Sequence, residues 1–175
     1  MPSSWKKSLE TILAKLAARP TKLKIGILGI GNELNGDDAA GVLVVRRLKE
    51  SLTAREPEAD PERVLLIEAG LAPESFTGPI RRFQPGLVLM VDAANMDEAP
   101  GSIGVLDWRD STGFGPSTHL QPPSTLAEYL MHELGCEVVL VGIQPAVLDF
   151  DAPVSPKVEE AVQNLVDFLA NHPVV

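Results

Sequence analysis

Hydrophobic positions along the chain fall into two alternating patterns. Continuous apolar runs lie at 24–31, 63–70, 86–94, 102–108 and 137–144. Around them, hydrophobic residues recur every three or four positions at 4–18, 37–52, 73–83, 124–134 and 155–170. Short continuous runs are typical of strands buried on both faces, and the longer period is typical of amphipathic helices. The pattern therefore predicts five strands and five helices.

The order of these elements predicts the fold. Only a short turn around Pro100 and Gly101 separates the third strand from the fourth. Because a parallel crossover needs a dozen or more residues, we expect the fourth strand to run antiparallel to the third. The other strands alternate with helices, which predicts a three-layer α/β fold: a twisted, mostly parallel five-stranded sheet with helices on both faces. We expect residues 1–22 to be an amphipathic helical extension and residues 23–175 to be a single domain.

Composition and charge exclude several classes of partner. The 175 residues include 15 basic and 24 acidic side chains, for a formal net charge of −9, which repels phosphate backbones and anionic lipids. The single cysteine, Cys136, excludes an internal disulfide and a thiolate-rich metal site. No targeting segment and no apolar run of ~18 residues occurs. We therefore expect a cytoplasmic protein with no nucleic-acid, membrane or disulfide partner.

Carboxylates follow the first three predicted strands. Asp37 and Asp38 come after strand one, Glu68 ends strand two, and Asp92 ends strand three. In open α/β sheets ligands bind beyond the carboxyl ends of the strands, so these are candidate site residues. Only one of the two adjacent aspartates can cap the following helix, and a carboxylate at the end of a buried strand needs a partner or a metal.

A histidine completes a possible metal site. His119 lies in the long loop at 109–123, and loops of that length in compact domains are often functional. Two carboxylates and an imidazole would form an open three-ligand site for a divalent ion such as zinc or nickel. The other histidines, His132 and His172, are expected at the surface.

Several more specific sequence motifs are not matched, and one alternative function stays open. The glycines at 29–36 do not fit the dinucleotide pattern G-x-G-x-x-G, because Leu34 takes the third glycine's place. Glu68 does stand where such folds place their ribose-binding acid, so a nucleotide-binding α/β domain is an alternative. His132 begins an H-E-x-x-H motif that ends in Cys136, and a Cys–His pair is less expected than core packing of the cysteine. The G-x-S-x-G motif that carries the nucleophile of many serine hydrolases does not occur, which argues against that class of enzyme.

The string GIGNELNGDDAAG at 29–41 resembles the G-x-G-N-x-x-x-x-D-[DE]-x-x-G signature of the [NiFe]-hydrogenase maturation endopeptidases. The resemblance continues at Ala72–Glu74, Val91–Ala93, Pro100–Gly101, Ser117–His119 and Leu140–Pro145. It covers roughly 24–170, and the chain is most similar to the branch that processes formate-hydrogenlyase-type hydrogenases.

The resemblance implies an aspartic-type endopeptidase that removes a C-terminal extension from the precursor of a [NiFe]-hydrogenase large subunit after nickel insertion. It assigns Asp38, Asp92 and His119 as metal ligands and catalytic residues, which leaves Asp37 as the expected helix cap. Nickel is expected to be supplied by the substrate, although another divalent ion could occupy the site. A non-catalytic nickel-binding chaperone is the other alternative.

The same resemblance points to two substrate-recognition residues, Asn32 and Glu68. Where the family has an Asp-Gly-Gly turn after strand two, this chain has Glu68, Ala69 and Gly70. Glu68 keeps the carboxylate one methylene farther out, and Ala69 is expected to lose a glycine's freedom at positive φ. We therefore expect the departure to affect substrate discrimination more than metal binding.

Overall fold

A computed structural model describes residues 4–55, 62–110 and 123–175. The helices are α1 (Ser4–Ala17), α2 (Ala40–Thr53), α3 (Thr77–Phe83), α4 (Pro123–Leu134) and α5 (Pro156–Ala170). The strands are β1 (Ile25–Ile30), β2 (Val64–Gly70), β3 (Leu87–Ala93), β4 (Ile103–Leu106) and β5 (Glu137–Ile143). Short 3₁₀ turns occur at Gly36–Ala39, Pro73–Phe76 and Trp108–Asp110. Every predicted strand and helix is present, and 3₁₀ turns form the starts of the second and third predicted helices.

The strands form one sheet in the order β2-β1-β3-β5-β4. β1, β2, β3 and β5 are parallel, and β4 pairs antiparallel with β5. The expected direction of the fourth strand is confirmed, but its neighbour is β5, which lies between it and β3. The burial of the strands explains this order: β5 is buried along almost its whole length, whereas all four residues of β4 are half-buried and suit an edge.

Helices cover both faces of the sheet. One face, here called the α2 face, packs against α1, α2 and α5, and the opposite α4 face packs against α3 and α4. Side chains of a strand alternate between the two faces. In β3, Leu89 and Val91 belong to the core of the α2 face, and Val88 and Met90 belong to the core of the α4 face. Asp92 therefore points to the α4 face.

The N-terminal helix is part of the main core. Trp5, Leu9 and Leu13 are buried in the cluster of the α2 face. The ring of Trp5 meets that of Phe168 in α5 edge to face, with centroids 5.3 Å apart. Helix α1 thus shares a hydrophobic core with the domain that follows it. None of the helices in the described part of the chain has the length and apolar content needed to span a bilayer.

Candidate functional site at the carboxyl ends of the strands

Three glycines of the 29–41 string allow α2 to begin directly on the sheet. A Cβ on Gly29 would overlap the carbonyl of Gly41, and a Cβ on Gly41 would overlap the carbonyls of Ile30 and Val91. The start of α2 therefore touches both β1 and β3. Gly31, at φ +137°, leaves room for the carbonyl of Asp38, which brings that residue back to the end of β1. The glycines thus place Asp38 at the edge where β3 ends in Asp92.

The side chain of Asp38 is half-buried and held by one hydrogen bond. Its Oδ2 accepts the backbone N–H of Asn32 at 2.9 Å. Asn32 in turn accepts the N–H of Leu34 through its Oδ1 at 3.0 Å, which shapes the loop. Within the described residues Oδ1 of Asp38 accepts no hydrogen bond. The loop therefore fixes the orientation of the carboxylate and leaves one oxygen available.

Asp37 does not cap a helix, so that expectation is wrong. Its carboxylate is fully buried and accepts the backbone N–H groups of Ala146, Val147 and Ser155 at 2.7, 2.9 and 2.6 Å, together with the Ser155 hydroxyl at 2.8 Å. Burial alone would raise the pKa of Asp37, but these hydrogen bonds outweigh it and hold the pKa below its ordinary value. Asp37 fastens the β1–α2 loop to the loop after β5.

Asp92 lies in the middle strand and is 2% exposed. It pairs in register with Gly142 of β5, which in turn pairs with Gly104 of β4. A Cβ on Gly104 would lie 2.6 Å from Sδ of Met96, and one on Gly142 would lie 3.2 Å from it. The two glycines therefore make room for Met96 beside Asp92 on the α4 face.

Gln144 holds the loop that follows Asp92. Its side chain is buried, and its Oε1 accepts the N–H groups of Met96 at 2.7 Å and Glu98 at 3.4 Å. Its Nε2 donates to Oδ1 of Asn95 at 3.2 Å. This positioning residue was not identified from the sequence. It could have been identified as a glutamine directly after a buried strand, because a buried amide side chain needs hydrogen-bond partners.

Glu68 is part of an ion-pair network on the α2 face. Its Oε2 accepts from Arg46 at 2.8 Å and its Oε1 from Lys49 at 3.0 Å, and Arg46 also binds Glu33. Desolvation would raise the pKa of Glu68, but Arg46 and Lys49 outweigh it and lower the pKa. Glu68 thus braces β2 against α2, on the opposite face of the sheet from Asp92. Its role in substrate recognition stays a prediction, as does that of Asn32.

The turn after β2 differs from expectation. Ala69 is buried and does not adopt a positive φ, whereas Gly70 does, at +59°. The pairing of β1 with β2 shifts register at this point, since Gly29 pairs with Glu68 and Ile30 with Gly70. Ala69 is the extra residue of this bulge, so no glycine is needed there. The expectation that Ala69 replaces a glycine at positive φ is wrong.

His119 lies outside the described residues. The segments on either side of its loop are described: Trp108 and Leu126 both pack in the core of the α4 face, to which Asp92 points. Within the three described ranges, no three His, Cys, Asp or Glu side chains form a group that could hold a metal. The assignment of His119 therefore stays a prediction.

The remaining titratable candidates are His132, His172 and Cys136, and their surroundings are those of ordinary surface or core residues. His132 is exposed, and His172 is half-buried against Phe168, where burial lowers its pKa. Cys136 is buried, its thiol donates to the carbonyl of Leu130 at 3.6 Å, and desolvation raises its pKa to about 11. A thiol with such a pKa is a poor nucleophile at neutral pH, so Cys136 is a core residue.

The glycine turn does not form a phosphate cradle. The space beside Gly31 is filled by the carbonyl of Asp38, and a Cβ on Gly36 would lie 2.6 Å from the carbonyl oxygen of Val147. These glycines allow close contact between segments of the protein itself. That packing argues against the nucleotide-binding alternative.

The chain is similar to known proteins of one family. A family model described as HycI, hydrogenase maturation protease, matches residues 42–172. The chain belongs to the hydrogenase maturation proteases. The Hydrogenase 3 maturation protease of Escherichia coli K12 is 33% identical over 140 residues, which are 79% of this chain and 84% of that protein.

Solved structures of the family share the fold of this protease. The crystal structure of a [NiFe] hydrogenase maturation protease HycI from Thermococcus kodakarensis KOD1 superposes with a TM-score of 0.76 at 34% identity, and covers 91% of this chain and 96% of that one. The solution structure of an endopeptidase HycI from Escherichia coli gives 0.69 at 32% identity, with 83% and 88% covered. The five-stranded, mostly parallel sheet is the fold of the family.

Proposed function

We propose that this protease removes a C-terminal extension from the nickel-loaded large-subunit precursor of a [NiFe] hydrogenase, with Asp38, Asp92 and His119 as its metal-contacting and catalytic residues. The observation that carries the proposal is the placement of two carboxylates at the same edge of the sheet, beyond or near the carboxyl ends of the neighbouring strands β1 and β3. The β1–α2 loop brings Asp38 back onto the strands beside β3, where Asp92 is buried.

The donor set suits nickel that arrives with the substrate. Imidazole and carboxylate groups are borderline to hard ligands, which bind Ni²⁺ and Zn²⁺ at open sites. Asp38 supports the same interpretation, because its Oδ2 is fixed by Asn32 while its Oδ1 accepts no hydrogen bond from any residue that the structure describes. Nickel held by the precursor would thus contact Asp38 in an orientation that the loop has already fixed.

The chain's own residues suggest how the peptide bond is cut. Water attacks the scissile carbonyl carbon, a carboxylate takes the proton from that water, and the proton passes to the leaving amine as the C–N bond breaks. Of the two candidate bases, Asp38 and Glu68, Glu68 is the less suitable. Glu68 is occupied by Arg46 and Lys49, which lower its pKa and weaken it as a base. A bound metal would polarise the scissile carbonyl.

The test compares nickel-loaded and nickel-free precursor, each incubated with the protein and followed by intact-mass spectrometry. We expect loss of a short C-terminal peptide from the loaded precursor only. Asp92→Asn and His119→Ala should abolish that loss, whereas the matched change Asp167→Asn, at an exposed position of α5, should not. Binding of loaded precursor without cleavage would favour the chaperone instead, and cleavage by Asp92→Asn at the wild-type rate would refute the site.

A further inference from the structure

Large exposed hydrophobic side chains gather at one edge of the described structure. They are Leu34, Leu71, Leu148 and Phe150, with exposed fractions of 58%, 40%, 42% and 75%. All four belong to loops that follow parallel strands, namely β1, β2 and β5. A protein that exposes apolar side chains together, and not singly over its surface, commonly does so at an interaction site.

Hydrogen bonds join these loops to the loop of Asp38. The N–H of Asp151 donates to the carbonyl of Leu34 at 2.7 Å, which brings the segment of Leu148 and Phe150 against the β1–α2 loop. The N–H of Gly31 donates to the carbonyl of Gly70 at 3.0 Å, which brings the chain before Leu71 to the same loop. The apolar side chains therefore stand on loops that adjoin or carry the candidate active site.

Within the described loops at this edge, the charged side chains have one sign. The described loops at 31–39, 71–76, 94–102 and 144–155 contain no Lys or Arg. Their carboxylates besides Asp37 and Asp38 are Glu33, Glu74, Asp97, Glu98, Asp149 and Asp151. Arg46 of α2 binds Glu33, while Asp149 and Asp151 are exposed beside Phe150. At the opposite edge, before the strands begin, lie Arg19, Lys22, Lys24, Arg63, Arg81 and Arg82. The described loops at the carboxyl-end edge thus carry acidic side chains without Lys or Arg, whereas the opposite edge carries both signs, with Glu50, Glu133 and Glu137 among its carboxylates.

We propose that this edge is a docking face for the hydrogenase large-subunit precursor, which it binds through an apolar surface of the precursor fringed by Lys or Arg side chains. The docking face consists of Leu34, Leu71, Leu148, Phe150 and the carboxylates of the same loops. A few centrally buried anchor residues contribute most of the affinity of an interface, and complementary charge at its rim speeds and orients association. The proposal rests on the proposed function, because it names what that substrate presents to the enzyme.

The apolar part of the proposal is tested with the double variant Leu148→Ser/Phe150→Ser and the nickel-loaded precursor. Because both side chains are exposed, the thermal midpoint should match wild type. We expect KM for the precursor to rise at least tenfold while kcat stays within about twofold. Direct binding, measured by biolayer interferometry with the same precursor, should weaken by the same factor.

The charged part is tested with Asp149→Asn/Asp151→Asn. Asn suits the positive φ of 59° at position 151. Its matched control, Glu50→Gln/Glu133→Gln, removes two exposed carboxylates from the far ends of α2 and α4. Added salt should weaken precursor binding by wild type and by the control alike, and should weaken binding by Asp149→Asn/Asp151→Asn less steeply.

Three results would overturn the docking face. Unchanged KM and binding in Leu148→Ser/Phe150→Ser, with normal cleavage by wild type, would reject it and leave the proposed function standing. Equal salt dependence in both charge variants would reject its charged rim. A wild-type dimer that becomes monomeric in Leu148→Ser/Phe150→Ser would assign the face to a second copy of this chain. If wild type binds the precursor without cutting it, the proposed function fails, while weaker binding by the variant still supports the docking face.

Discussion

The replacement Asp37→Asn tests whether the buried carboxylate holds the two loops of the site together. The carboxylate accepts three backbone N–H groups and one hydroxyl, so both of its oxygens are in use. An amide has one acceptor oxygen and one donor nitrogen. If its oxygen takes the place of Oδ2, its NH₂ group faces the N–H of Ser155, and two donors then oppose each other in a buried space.

The magnitude follows from this count. A buried N–H left without an acceptor costs about 1–3 kcal/mol. The bonds that survive also lose their charge assistance, at roughly 0.5–1 kcal/mol each. We therefore expect Asp37→Asn to lower the free energy of unfolding by about 3–5 kcal/mol at pH 7, a large share of the ~5–15 kcal/mol typical of a domain. Ser155→Ala removes only the hydroxyl donor and should cost about 1 kcal/mol.

The pH dependence follows from the lowered pKa of Asp37. Its pKa in the folded state lies below the ordinary value of 3.8, so the unfolded chain takes up the proton first as the pH falls. The stability that the ionised carboxylate contributes is fully present above the unfolded pKa and is lost as the pH falls through the folded pKa. The stability gap between wild type and Asp37→Asn should therefore be constant from pH 8 to pH 5 and shrink below about pH 4.

Urea unfolding followed by circular dichroism at several pH values measures these quantities. Asp167→Asn, an exposed substitution on α5, should stay within about 0.5 kcal/mol of wild type and serves as the control. A loss below about 1 kcal/mol in Asp37→Asn, or a gap that widens toward acid pH, would refute the role assigned to the carboxylate.

Three further predictions concern other parts of the fold. Gly31→Ala should cost about 2–5 kcal/mol in urea unfolding and reduce precursor cleavage, because a Cβ at φ +137° would overlap the carbonyl of Asp38; unchanged stability would contradict this. Cys136, with a pKa of about 11, should be thiolate to on the order of 0.1% at pH 8, so iodoacetamide should label only the unfolded protein in mass spectrometry, and rapid labelling of the folded protein with loss of cleavage would argue against a core role. Trp5→Ala should cost about 3–5 kcal/mol, since Trp5 packs on Phe168; a cost under about 1 kcal/mol would make α1 a dispensable extension.

The sheet could be predicted from the sequence because its strands are continuous apolar runs. The reversed direction of β4 followed from the short connection after β3. The neighbour of β4 could not be predicted in this way. Connection length restricts the direction of β4 but not its position in the sheet. That position depends on which strand packs best beside β3, and β5, which is buried along nearly its whole length, takes that place. The place of α1 in the main core likewise depends on contacts with α5, at the other end of the chain.

The candidate carboxylates could be found from the sequence, because each follows a strand, but their roles could not all be assigned. Asp37 and Asp38 are chemically identical neighbours, and what distinguishes them is the segment after β5, which binds Asp37 across 109 residues of sequence. Glu68 is similar, since its partners Arg46 and Lys49 reach it only when α2 packs on β2. Partners so distant in sequence cannot be identified from the local spacing of residues.

The two adjacent aspartates show how one short turn can serve both stability and recognition. A 3₁₀ turn rotates the chain by about a third of a revolution per residue, so neighbouring side chains point in different directions. Asp37 points into the protein, where its charge is fully hydrogen-bonded, and this anchors the turn. Asp38 then needs only the N–H of Asn32 to hold its orientation, and its Oδ1 stays available. The proposed site, which would contact a metal carried by its substrate, would need a carboxylate oxygen that is oriented in advance. With Asp37 anchoring the turn, a single hydrogen bond from the described residues is enough to orient Asp38.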